Sequence, residues 1–93
     1  MGKQTSKIIT QQDMVDALIG FLKKIRSDDQ QPLTQRSRLF DDAIIDSLKI
    51  LDLLAFAEES FFITIPDASV TLENFRTPAA IAELCYQLRY APS

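Results

Sequence analysis

Asp46-Ser47-Leu48 is the stretch of this chain best placed to do chemistry. Behind it, Lys49 to Phe61 carries an apolar stripe at helical spacing, and ahead of it lies a long loop-like segment. A serine at such a junction sits on a helix N-terminus. Free backbone N–H groups and the helix dipole there favour an anionic substituent, so a phosphate ester on Ser47 would be well placed. The plainer alternative is that Asp46 or Ser47 only caps the helix. Catalysis by the chain itself finds little support. With no histidine, His-based acid–base chemistry and most zinc sites fall away, and no metal ligands are assigned. Asp46 and Ser47 lack a general base and an evident oxyanion site, so no catalytic residue is assigned either. Glu58 and Glu59 are neighbours on a helix and point about 100° apart, which suits solvated or partner-facing groups rather than a carboxylate dyad.

Composition narrows the function classes further. A chain of 93 residues makes one small domain, and its apolar share of 46% supports a modest core. Two glycines and no tryptophan argue against a turn-rich β fold. A net charge of −3 offers no basic footprint, which speaks against a helix-turn-helix or other nucleic-acid binder. The lone Cys85 excludes an internal disulfide and points to a reducing, cytoplasmic setting; on the apolar stripe of the last helix it reads as a buried structural thiol. No apolar run reaches transmembrane length, and no signal-peptide core is present. Met1 to Ser6 matches the short myristoylation pattern, one that is common by chance.

The elements that must position Ser47 follow from periodicity and caps. Residues 1–9 read as a loose polar arm, and 10–90 as the folded domain. Thr10 with Asp13 forms a capping pair, and Met14, Val15, Leu18, Leu22 and Ile25 predict a helix to about Arg26. Ser27 to Arg38 carries no stripe and reads as loop, with Leu39 and Phe40 pinning its far end to the core. The next helix is predicted from about Ser47 to Phe61, with Ile50, Leu53, Leu54, Ala57 and Phe61 on its core face. Leu48, Leu51, Asp52, Ala55 and Glu59 fall on the other side, with Phe56 on the flank near Lys49. Apolar residues clustered there beside a candidate attachment point suggest a docking surface. Ile63 to Ile65 reads as an extended connection ended by Pro66-Asp67, and Val70 to Phe75 as one short helical turn. Thr77-Pro78 starts a last helix striped by Ala80, Ile81, Leu84, Cys85 and Leu88, which Ala91-Pro92 ends. The fold class expected is all-α, a bundle of three main helices and one short helix with a long first loop.

Taken together, Leu39-Phe40, Asp46-Ser47-Leu48, Glu58-Glu59-Ser60-Phe61, Ile65-Pro66-Asp67 and Asn74-Phe75-Arg76-Thr77-Pro78 resemble the acyl carrier protein superfamily of acyl, peptidyl and D-alanyl carriers. The likeness spans roughly residues 12 to 90 and implies an acyl-carrier-protein-like four-helix bundle. It implies that Ser47 receives 4′-phosphopantetheine from coenzyme A, placed by a separate magnesium-dependent phosphopantetheinyl transferase. Asp46 would be the acidic neighbour of the motif, positioning the serine and the transferase's metal. The prosthetic thiol would carry cargo as a thioester, loaded by an amino-acid or acyl ligase and passed to a downstream acceptor enzyme. Such a chain is a substrate and shuttle, expected as a monomer. Its partners would dock on Leu48, Lys49, Leu51, Asp52, Ala55, Phe56 and Glu59.

Two departures from the family pattern matter. Many carriers have glycine a few residues before the serine; Ala43-Ile44-Ile45 stands here, so a glycine-requiring turn is expected to be reshaped. Lys49 stands where carriers of fatty-acid synthesis usually have an acid, which weakens the negative field their enzymes would use. The Leu39-Phe40 lead-in, Ile44-Ile45 and the Phe75-Arg76-Thr77-Pro78 end look closer to stand-alone aminoacyl carriers, which implies an amino-acid cargo ahead of a fatty-acyl or polyketide one. An unmodified helical interaction domain, needing only the bundle and the Leu48–Leu51–Phe56 patch, is the reading from another class.

Overall fold

The computed structural model describes residues 8–26 and 32–91, and these form three α-helices with no strand among them. The myristoylation pattern, most of the predicted arm, part of the first loop and Pro92 lie outside the described residues. Helix α1, Gln11–Ile25, opens on the capping box read from sequence. Thr10 Oγ1 accepts from the Asp13 N–H at 3.0 Å, and Asp13 Oδ2 accepts from the Thr10 N–H at 3.0 Å. Helix α3, Pro78–Tyr90, opens with Thr77 Oγ1 accepting from the Ala80 N–H at 3.1 Å, and Pro78 occupies the first turn, where a missing donor costs nothing. Helix α1 packs most extensively on α3, burying Met14, Val15, Leu18 and Leu22 against Ile81, Ala82 and Cys85 in a common core.

Helix α2, Lys49–Phe61, touches α3 least. Its fully buried stripe is therefore narrower than expected: Leu53, Ala57 and Phe61 are buried, whereas Ile50 and Leu54 are only half-buried. It ends at Phe62 in the left-handed region, φ 58°, with the Glu58 carbonyl accepting from the Ile63 N–H at 3.2 Å. No cationic side chain lies in its own last turn. Arg89 of α3 supplies one instead, Nη1 donating to the Phe61 carbonyl at 3.1 Å, which also ties the two helix ends together.

Several expectations need correcting. The short helix is a 3-10 turn at Asp67–Ser69, where Pro66-Asp67 was expected only to break the chain. Pro66 sets the start, and the Ser69 N–H donates to the Pro66 carbonyl at 2.9 Å. The single turn expected within Val70 to Phe75 is present, closed by the Phe75 N–H donating to the Thr71 carbonyl at 3.1 Å. Ile9 is not part of a loose arm: it is half-buried against the core, and its N–H donates to the Tyr90 hydroxyl at 2.9 Å. Glu58 is not simply solvated. It is half-buried, and its Oε2 accepts from the Ile65 N–H at 2.8 Å, holding the Ile63 to Ile65 connection against α2.

Candidate functional site

The loop before Ser47 is ordered by its own polar groups and by α3. The Thr34 N–H donates to Ser37 Oγ at 2.9 Å, and the Arg36 N–H to Thr34 Oγ1 at 3.2 Å. Two backbone bonds fasten the segment to the start of α3: Ala79 N–H to the Gln35 carbonyl and Leu39 N–H to the Arg76 carbonyl, both 2.9 Å. Leu39, fully buried, then acts as a hub. Its carbonyl accepts from the Ile44 N–H at 2.9 Å and the Ile45 N–H at 3.2 Å. The turn this closes puts Ala43 at φ 57° and drops Ile44 and Ile45 into the core. Alanine adopts the left-handed geometry here, at a cost of roughly 1–2 kcal/mol that the two buried isoleucines offset.

Past Ile45 the chain emerges at Asp46 and Ser47, both exposed. Asp46 Oδ1 accepts from the Leu48 and Lys49 N–H groups, each at 3.1 Å, and the Asp46 carbonyl accepts from the Lys49 N–H at 3.1 Å. Asp46 is therefore the working cap. Ser47 and Leu48 form a preliminary turn, and the regular helix begins at Lys49 rather than near Ser47. This changes the electrostatic argument. The Leu48 and Lys49 donors are not free for a substituent on Ser47, because the Asp46 carboxylate already takes them. What the geometry leaves is a Ser47 hydroxyl with no hydrogen bond among the described residues, at the rim of an apolar hollow of about 200 Å³. Phe40, Ile50, Val70, Leu72 and Phe75 line that hollow. A covalent arm fits such an anchor, since the nucleophilic oxygen is open to a large partner and adjacent apolar surface is available.

Leu48 and Leu51 stand out as expected, 76% and 64% exposed. Asp52, Ala55 and Glu59 are exposed with them, while Lys49 and Phe56 are half-buried. Around the helix Leu48, Leu51, Asp52, Ala55 and Glu59 share one outward arc. Asp52, Ala55, Phe56 and Glu59 also line a groove with Phe21 and Ile25 of α1. Sequence reasoning missed Leu72, which is 71% exposed at the hollow beside Ser47, and Phe62, 74% exposed with Arg89 over its ring at 5.7 Å. Both lie in connections without periodicity, so no stripe marked them. Cys85 is buried as expected, and burial pushes its thiol from the ordinary 9.0 up to about 12. Among the described residues no cluster of metal-ligating side chains occurs, and no helix is long and apolar enough to cross a membrane.

No family model and no curated protein matches the sequence. Among solved structures, the chain is similar to one in the crystal structure of Bradyrhizobium japonicum glycine:[carrier protein] ligase complexed with glycylated carrier protein. The TM-score is 0.63 at 22% identity, over 80% of this chain and 96% of that one. At this identity the likeness speaks for the fold, and with three helices around one core the chain has a small all-α, acyl-carrier-like fold.

Proposed function

We propose that this protein is a stand-alone carrier that bears 4′-phosphopantetheine on Ser47 and shuttles an amino acid between enzymes. The observation that carries this reading is the exposed Ser47 hydroxyl, without a hydrogen bond among the described residues, on a turn braced by Asp46. It sits in a fold shared with a chain from a complex that contains a glycylated carrier protein. The matched chain is shorter than this one, which fits the carrier component of that complex.

In the reaction, Ser47 Oγ would attack the phosphorus on the pantetheine side of coenzyme A's pyrophosphate. A phosphodiester forms, the P–O–P bridge breaks, and adenosine 3′,5′-bisphosphate leaves. With no histidine in the chain and the Asp46 carboxylate engaged by two backbone N–H groups, the proton would go to the transferase. Asp46 keeps the turn open while its carboxylate remains exposed enough to face the transferase's magnesium. Once attached, the group supplies a thiol that holds cargo as a thioester. Loading would fall to an amino-acid ligase docking beside Ser47 on Leu48 and Leu51, with transfer to an acceptor enzyme afterwards.

Coexpression with a broad phosphopantetheinyl transferase, followed by intact mass measurement, tests the attachment. One added phosphopantetheine on the wild type and none on Ser47→Ala supports it. No addition on the wild type leaves the unmodified interaction domain as the better account. Cargo is tested by charging the same modified preparation with amino-acid ligases and with a malonyl transferase from its own host. Aminoacylation with poor malonyl loading is expected, because Lys49 weakens the acidic field at the start of α2. Efficient malonyl loading without aminoacylation overturns the cargo and leaves the carrier role.

A further inference from the structure

The loop ahead of Ser47 and the approach to α3 enclose a small cavity of about 50 Å³, lined by Phe40, Asp41, Leu72 and Arg76. Phe40 and Leu72 also line the hollow that Ser47 rims, so the two spaces share a wall. Their linings differ in kind. The hollow is almost wholly apolar and would take any chain, whereas the cavity beside it carries one carboxylate and one guanidinium. These opposite charges do not neutralise each other. Asp41 and Arg76 are exposed, and neither side chain makes a hydrogen bond or ion pair among the described residues. Arg38, three residues before Asp41, is instead paired with Asp42 at 3.4 Å. The backbone beneath both groups is fixed. The Leu39 N–H donates to the Arg76 carbonyl at 2.9 Å. Asp41 lies within turns closed by the Asp42 N–H on the Arg38 carbonyl at 3.0 Å and the Ala43 N–H on the Phe40 carbonyl at 3.1 Å.

We propose that this cavity holds the head of an aminoacyl thioester, with the α-ammonium against Asp41 and the neighbouring carbonyl oxygen accepting from Arg76. The inference rests on the carrier reading, since the head would reach the cavity past Phe40 and Leu72 on an arm attached to Ser47. An aminoacyl head carries a cation and a carbonyl acceptor side by side. A carboxylate and an unpaired guanidinium across one small cavity complement that pattern. A plain acyl head offers only the carbonyl and leaves Asp41 without a partner, so the pair selects cargo by its free amine. Pairing with Asp41 also keeps the amine protonated, and a protonated amine cannot attack a second thioester.

The test uses full-length, isotope-labelled protein carrying Ser47→Cys, alkylated at the introduced thiol with synthetic pantetheine-length arms. Cys85 is buried and should stay unreacted, which intact mass checks as a single addition. One arm ends in a glycyl group held by a stable amide in place of the thioester. Its twin ends in propionyl, where a methyl group replaces the ammonium. The expected result is amide shifts at Asp41, Leu72 and Arg76 about three-fold larger with the glycyl arm, the ratio set by one exposed charge pair. The glycyl amine should titrate at higher pH than it does when Asp41→Asn is added, and that variant should respond to both arms equally. Arg76→Gln should reduce the shifts from both arms, because both carry the carbonyl. Asp41 and Arg76 are exposed, so neither substitution should disturb the fold. The proposal is overturned if the two arms give equal shifts, if the shifts stay at residue 47 and the apolar hollow, or if Asp41→Asn leaves the amine titration unchanged. The arms are attached chemically, so such a result counts against the cavity, whereas a wild-type Ser47 that no transferase modifies counts against the carrier reading.

Discussion

Asp46 and Ser47 divide one motif into two physical jobs. Asp46 holds two backbone donors, and the exposed Ser47 hydroxyl makes no hydrogen bond among the described residues. Replacing Ser47 with alanine should leave thermal stability unchanged within about 0.5 kcal/mol, as expected for a surface substitution that removes no bond, while abolishing cargo loading; a prosthetic group found on the alanine variant would sink the assignment. Asp46→Ala removes the cap and should cost about 1 kcal/mol in urea unfolding. Asp46→Asn should recover most of that stability, since asparagine caps as well as aspartate, yet slow modification if the charge faces the transferase's metal. Equal modification rates for Asp46→Asn and the wild type would reduce Asp46 to a cap. Ala43, held at φ 57°, gives the opposite sign. Ala43→Gly relieves the left-handed strain but adds freedom to the unfolded chain, for a net gain of roughly 0.5–1 kcal/mol. Destabilisation on urea unfolding would contradict that backbone geometry.

Helix α2 divides the core from an exposed apolar line beside Ser47. Its buried line is Leu53, Ala57 and Phe61, and its outward line near the site is Leu48 and Leu51. A charge placed on the two lines should have contrary effects. Leu51→Asp should leave the melting temperature within a few degrees of wild type and cut ligase loading strongly. Leu53→Asp, with no exposed surface at all, should unfold the domain because an unpaired charge would be buried. Thermal melts alongside single-turnover loading separate the two, and a folded Leu53→Asp protein would invert the assignment of the faces. Besides packing its middle on α1, helix α3 works at its two ends: Ala79, with Arg76 just ahead of the helix, fastens the loop before Ser47, and Arg89 fastens the end of α2.

Across the whole molecule, the buried Cys85 thiol makes the domain chemically quiet. In the folded state it should resist thiol reagents at neutral pH, so any fast-reacting thiol on the native protein reports a prosthetic arm. Unmodified protein should show no reactive thiol when folded and one after denaturation; modified protein should show one and then two. The same burial sets a pH dependence. Unfolding returns the thiol from about 12 to its ordinary 9.0, so between these values the unfolded chain binds fewer protons than the folded one. This contribution to stability is complete below pH 9 and is lost as pH rises towards 12. Urea unfolding of wild type and Cys85→Ala across that range checks the sign: the wild type should lose stability more steeply with pH.

The helices, their caps and the outward phase of Leu48 and Leu51 were legible in the sequence because they depend on short-range repeats and on bonds three or four residues apart. Thr10 with Asp13, and Thr77 with Pro78, needed no knowledge of the rest of the chain. Ser47 was legible through a motif, and its place ahead of a helix through the stripe behind it. Other features depended on pairs far apart in sequence, which no local pattern encodes. Glu58 is drawn from solvent by the Ile65 N–H, Ile9 is held by Tyr90, and the end of α2 borrows its cation from Arg89. The left-handed Ala43 follows from the Leu39 carbonyl collecting two N–H groups while two isoleucines are buried, a balance only the assembled core can strike. Periodicity gives a side chain's angle around its own helix, whereas packing on α1 decided that Phe56, on the flank of α2, stacks on Phe21.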